Sequence, residues 1–143
     1  MTIPERLAWA KYLRTQSAPK SYAMPTKYRN RKIYVDGIRF DSVLESDRFC
    51  ELKALQAAGE VLYFLRQVPL QIATGVKLVV DFMVVWVGCG DIEIDGETQP
   101  YVRITWEDTK GFLTSTARTK IAVANDKYHI KIRILKRADV RKS

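Results

Sequence analysis

One carboxylate, Asp81, interrupts the apolar run Lys77-Leu-Val-Val-Asp-Phe-Met-Val-Val-Trp-Val87, and an acidic cluster with a lysine, Glu107-Asp108-Thr109-Lys110, closes the later segment Tyr101–Lys110. Both segments read as strands, the first as a buried one. An unpaired carboxylate inside a sheet costs several kcal/mol, so Asp81 must be hydrogen-bonded, ion-paired or holding a metal. If the two strands are neighbours, Asp81, Asp108 and Lys110 converge, which is the layout of a metal-dependent phosphodiesterase site. Lys110, two residues past Asp108, shares its side of the strand. Glu107 alternates to the opposite face, which gives it a structural or supporting role. The competing reading of Lys110 is a solvated lysine at a strand end.

A third carboxylate belongs to a helix. Ser42 and Glu45 form an S-x-x-E capping box, and a helix should run from Val43 to about Ala58, closed by Gly59. At about 100° per residue Glu45 falls on the stripe of Phe49 and Leu52, so it faces the core side and is able to point toward the sheet that carries Asp81. Capping alone explains the residue equally well.

Composition narrows the chemistry further. The 143 residues suit one domain, and an apolar share of 47% can build a core. Lys and Arg number 24 against 16 Asp and Glu, a net charge of +8 that favours a polyanionic partner such as nucleic acid. The only histidine is His129, which excludes paired-histidine metal sites and argues against a histidine base or nucleophile. Cys50 and Cys89 form no CxxC or Cys/His cluster and read as reduced thiols. No stretch approaches the roughly 18 apolar residues of a membrane span and no signal-peptide core is evident, so the expected location is cytoplasmic.

The elements that must position these residues follow from periodicity and turn signals. Residues 1–26 read as a helical arm, with Trp9 and Leu13 on it, followed by a Ser/Pro-punctuated linker. Residues 27–143 read as the domain proper. Lys27–Lys32 interleaves Arg29, Arg31 and Lys32 with Tyr28 and Tyr34, a composition suited to phosphate contact and base stacking and equally to a solvated basic loop. Lys32–Phe40 is a hairpin about Asp36-Gly37. Val61–Phe64 and Val68–Ile72 read as two short strands, Pro69 placing the second near an edge. Ile92–Ile94 extends a hairpin about Asp95-Gly96, and the acids there (Asp91, Glu93, Asp95, Glu97) lack the spacing of a calcium loop. Thr114 or Ser115 caps a helix to about Lys127 with Ala117, Ile121, Ala124 and Tyr128 on one stripe and Arg118, Lys120 and Lys127 away from it. His129–Leu135 alternates as a strand with Ile130, Ile132 and Ile134 inward and a basic outer face. Lys136–Lys142 reads as a basic, disordered tail.

This order of helix, strands, Asp-bearing strand, Asp-x-Lys strand, helix and strand resembles the core of the PD-(D/E)xK nuclease superfamily. More narrowly, Val35-Asp-Gly-Ile-Arg-Phe-Asp-Ser-Val-Leu-Glu-Ser-Asp-Arg-Phe-Cys-Glu-Leu52 with Glu107-Asp-Thr-Lys-Gly111 is similar to small phage proteins regarded as endonuclease-like. The similarity spans Lys27 to Leu135. Val80 stands where the superfamily label has proline, a position where proline is commonly absent.

The resemblance implies an α/β, restriction-endonuclease-like fold: a central mixed β-sheet flanked by α-helices. It further implies a Mg2+-dependent DNA endonuclease, with Mn2+ able to substitute. Asp81 and Asp108 would hold the metal, Lys110 would orient the nucleophile or stabilise the transition state, and Glu45 would bind metal directly or through water. Arg29, Arg31, Lys32, Arg118, Lys120 and Lys127 are the phosphate-contact candidates. The compact size and basic surface resemble phage and archaeal Holliday junction resolvases, which act on branched DNA as homodimers; for a phage protein the setting would be the bacterial host cytoplasm. Two other readings stand beside this one: a non-catalytic nucleic-acid-binding or regulatory protein that keeps the fold, and a restriction or repair nuclease.

Overall fold

The computed structural model describes residues 32–88 and 90–142. The arm with Trp9 and Leu13, the basic residues Arg29 and Arg31 with Tyr28, and Cys89 lie outside the described residues. The chain divides into two compact units: residues up to Gly59 together with Arg137–Ser143, and Glu60–Lys136.

In the first unit, β1 (Ile33–Val35) and β2 (Ile38–Phe40) form the expected hairpin. Its turn places Asp36 and Gly37 at φ 51 and 75, the left-handed pair that a two-residue turn demands. Helix α1 (Val43–Ala57) starts where the capping box predicts, the Ser42 hydroxyl accepting from the Glu45 N–H at 3.0 Å, and Gly59 follows it at φ 81. Phe49 stacks obliquely on Phe40, centroids 5.1 Å apart, and Leu52 is fully buried. The C-terminal tail corrects the reading of Lys136–Lys142 as disordered. Arg137–Asp139 makes a 3-10 turn, Arg137 pairs with Asp47 of α1, and Val140 is buried. An arginine–carboxylate pair with one partner buried, backed by an apolar anchor, supplies what a solvated basic tail lacks.

The second unit is built on a mixed sheet in the order β3-β4-β7-β8. Strands β3 (Val61–Ala73), β4 (Val76–Trp86) and β7 (Arg103–Thr109) pair antiparallel, and β8 (Ile132–Leu135) joins β7 in parallel through the crossover helix α2 (Ser115–Tyr128). The chain is thus α/β with a central mixed sheet and two described helices. Thr114 caps α2, accepting from the Ala117 N–H at 3.1 Å. Ile121 and Ala124 of α2 pack with Leu70, Leu78, Val80 and Ile132, and each large apolar side chain fully buried this way contributes about 1.5–3 kcal/mol. A small exposed hairpin, β5 (Asp91–Ile94) and β6 (Glu97–Pro100), turns at Asp95-Gly96.

Two strand expectations need correction. Residues 61–73 form one strand, not two: the Arg66↔Phe82 and Val68↔Val80 pairs keep one register across Gln67, although Gln67 itself takes φ 51. Pro69 is tolerated since β3 is the edge strand. At the other edge, β8 begins at Ile132 rather than His129, since its first partner on β7 is Trp106. Among the described residues no helix is long and apolar enough to cross a membrane.

Candidate functional site

The β4–β7 ladder ends at Phe82↔Glu107. One step further the register sets Asp81 opposite Asp108, and there side chains replace the backbone ladder. Oδ2 of Asp81 accepts from the Thr109 N–H at 2.8 Å and from the Thr109 hydroxyl at 2.7 Å, while Oδ1 accepts from the Gln67 amide at 3.2 Å. The isolated carboxylate of the apolar strand is therefore stabilised first by hydrogen bonds. The left-handed Gln67 is what presents its side chain from the edge strand. Sequence reasoning missed Gln67 and Thr109, since a glutamine beside a proline and a threonine between two charged residues carry no signal of that role.

Asp108 is in the opposite condition. It is 1% exposed, and neither carboxylate oxygen has a hydrogen-bond partner. The nearest cation, Lys110 Nζ, lies 3.5 Å from Oδ1, too long for a strong hydrogen bond and best described as an ion pair at the limit of contact. Burial pushes the Asp108 carboxyl up from its usual 3.8 to about 7, helped by the negative charge of Asp81, with Lys110 pulling the other way.

Glu107 is fully buried on the other side of β7. It accepts from the Thr105 hydroxyl at 3.3 Å, Thr105 in turn accepts from the Trp86 indole at 2.9 Å, and Arg133 stands 3.8 Å away. Alternation thus separates it from Asp108 and Lys110, as the sequence implies.

Glu45 belongs to the first unit, where it is 4% exposed and its Oε2 accepts from the Asp41 N–H at 3.4 Å, completing the cap. Among the described residues no three of His, Cys, Asp and Glu gather as a metal-binding group, so the second unit offers a divalent ion the two carboxylates Asp81 and Asp108. Of the phosphate-contact candidates, Lys32 and Arg118 are exposed and Lys120 half-buried. Lys127 is already engaged, donating to the Gln71 carbonyl at 2.9 Å beside the Tyr128 hydroxyl at 2.6 Å.

A family described as "Protein of unknown function (DUF1064)" matches residues 25–141. The chain belongs to this family. No curated protein and no solved structure matches it. The DUF1064 match takes in Glu45, Asp81, Asp108 and Lys110, as well as Gln67 and Thr109, and begins just ahead of the basic segment that holds Arg29 and Arg31.

Proposed function

We propose that this DUF1064 chain is a Mg2+-dependent DNA endonuclease with its active centre at Asp81, Asp108 and Lys110. One observation carries the reading: Asp108 is buried with both oxygens lacking a donor, beside a second carboxylate and a lysine at the end of the same strand. A purely structural role fits poorly, because an undersatisfied buried carboxylate costs more than an apolar residue of similar size. A divalent ion answers that deficit. Asp81 and Asp108 offer the hard oxygen ligands Mg2+ prefers, with remaining positions open to water and phosphate. The bound ion would lower the pKa of an attacking water and neutralise charge on the phosphoryl oxygens.

The chain's own residues have defined parts. Thr109 and Gln67 fix the orientation of Asp81. The Lys110 ammonium, partly exposed at the strand end, is placed to hold the nucleophile or to steady charge on the phosphate. Glu45, at the start of α1, is proposed as a further ligand, directly or through water. The net charge of +8 suits a nucleic-acid substrate. Branched DNA, a homodimer and action in the cytoplasm of a bacterial host are the finer parts of the same proposal.

Incubation with labelled four-way junction, flap, duplex and single-stranded DNA, with Mg2+ and with EDTA, tests it. Cleavage of at least one substrate with Mg2+ and none with EDTA is expected; DNA left intact under every condition overturns the reading. Paired nicks near a junction crossover, made by a dimer, are the result expected for junction resolution, and equal cutting of linear duplex would remove that finer claim alone.

A further inference from the structure

Strands β7 and β8 are paired only from Trp106↔Ile132 onward, so ahead of that point Arg103–Thr105 and His129–Lys131 diverge. A groove of about 590 Å3 opens between them. It is lined by the cationic Arg103, Lys131 and Arg133 with His129, and none of its described lining residues is acidic. Interleaved with them are apolar side chains, Ile104, half exposed to solvent, and the half-buried Trp106 and Ile130. Strand alternation sets Arg103 on one side of β7 and Ile104 and Trp106 on the other, so the groove runs along the open edge of that strand. The Arg103 guanidinium lies 5.0 Å from the centre of the Trp86 ring, a cation–π contact that holds it over the sheet. The Arg133 side chain remains 56% exposed although Glu107 is 3.8 Å from it. On its β8 side, the Arg103–Thr105 stretch of β7 has no neighbouring strand among the described residues.

We infer that this groove is a binding site for a single strand of nucleic acid, separate from the carboxylate site. The identity of the polyanion as nucleic acid rests on the nuclease reading; the groove and its charge do not. Cations alone would suit any phosphate backbone, but a duplex hides its bases and would leave the apolar side chains unused. An unpaired strand presents phosphates and flat base faces together, and cations interleaved with aromatic and aliphatic side chains along an open strand edge match both. Ile104 lies four positions before Asp108 on β7, about 14 Å at strand spacing, so a strand seated in the groove lies within a few nucleotides of the carboxylates. The groove therefore selects substrates with an unpaired segment near the scissile bond. None of its cations is among the phosphate contacts that composition and helix pattern suggest. They gather only because β8 starts late.

The test is fluorescence anisotropy of labelled dT20 with the full chain in EDTA, comparing wild type with the double variant R103E/K131E and its neutral counterpart R103Q/K131Q. All substituted side chains are exposed, so both variants should remain folded, with melting temperatures lowered only slightly and alike by loss of the Arg103–Trp86 contact. The expected result is affinity for dT20 lowered at least tenfold by R103E/K131E. In R103Q/K131Q the slope of log K against log salt should become shallower by about 1.4, from two lost phosphate contacts at about 0.7 each on a single strand. Unlabelled dT20 should compete better than duplex of equal length and better than polyglutamate. Unchanged affinity and slope overturn the inference, as does equal competition by duplex or by polyglutamate, the latter making the groove a site for acidic polypeptide. Binding in EDTA is independent of cleavage, so a wild-type protein that cuts DNA while these variants bind normally fails this inference alone, and one that never cuts but loses dT20 on substitution fails only the nuclease reading.

Discussion

Thr109 donates both its amide N–H and its hydroxyl to one oxygen of Asp81, at 2.8 and 2.7 Å, so the strand that carries Asp108 also holds the carboxylate opposite it. Thr109 thus ties Asp81 of β4 to the stretch of β7 that carries Asp108. Gln67 secures the remaining oxygen of Asp81 and leaves Asp108 as the undersatisfied member of the pair.

Thr109→Val keeps the shape of the side chain and removes the hydroxyl. Because a hydrogen bond to a charged group contributes about 1.5–3 kcal/mol, and Asp81 keeps two other donors, a loss of about 1.5 kcal/mol is expected. Urea denaturation of the two proteins at neutral pH measures it. Cleavage should slow as Asp81 loses its alignment, and an unchanged denaturation midpoint would mean that the hydroxyl contact contributes nothing.

Asp108 gives metal-free protein a pH signature. Its carboxyl is held at about 7, above its usual 3.8, first by burial and then by Asp81. A raised carboxyl favours the folded state while protonated, so its contribution is whole below about pH 3.8 and is lost as pH rises through about 7. In EDTA, Asp108→Asn should therefore gain stability relative to wild type as pH rises from about 4 to 8. Thermal melts across that range give the difference directly, and a flat difference would contradict the raised value. The proposed metal would have to displace the same proton, so Mg2+ should protect wild type more strongly at pH 8 than at pH 6.

Ser42→Ala and Glu45→Gln separate capping from catalysis on α1. Loss of the Ser42 cap should cost about 1 kcal/mol with specific activity intact. Gln at position 45 keeps the capping geometry, so the melting temperature should hold while Mg2+-dependent cleavage falls at least about tenfold. If E45Q loses stability and keeps its activity, Glu45 is a cap alone.

Local signals made much of this molecule legible. Asp36-Gly37, the capping box at Ser42 and the Thr114 cap are short-range chemistry, and each lies where its turn or helix requires. Asp81 was legible because a carboxylate in an apolar strand demands a partner; which partner was not, since Thr109 comes from another strand and Gln67 reaches it only through a left-handed backbone that no glycine announces. Long-range pairing defeated the remaining readings. Arg137 finds Asp47 across the length of the chain, and His129–Lys131 alternates like a strand yet lacks a partner on β7, which is how the cationic groove arises.

Lys110→Ala should lower turnover more than DNA affinity if, as proposed, the ammonium acts at the reacting phosphate and not along the backbone. Single-turnover rates and anisotropy on the same DNA separate the two effects. Equal losses in both would make Lys110 a binding residue only.

If Asp81 and Asp108 hold the metal that cuts DNA, single-turnover cleavage of labelled four-way junction and duplex with saturating Mg2+ should fail in Asp81→Asn and in Asp108→Asn. Each change removes ligand charge with little change of shape, so cleavage should fall at least about a hundredfold while DNA binding in Ca2+ stays within about twofold of wild type. Wild-type cleavage rates from both variants would contradict the account.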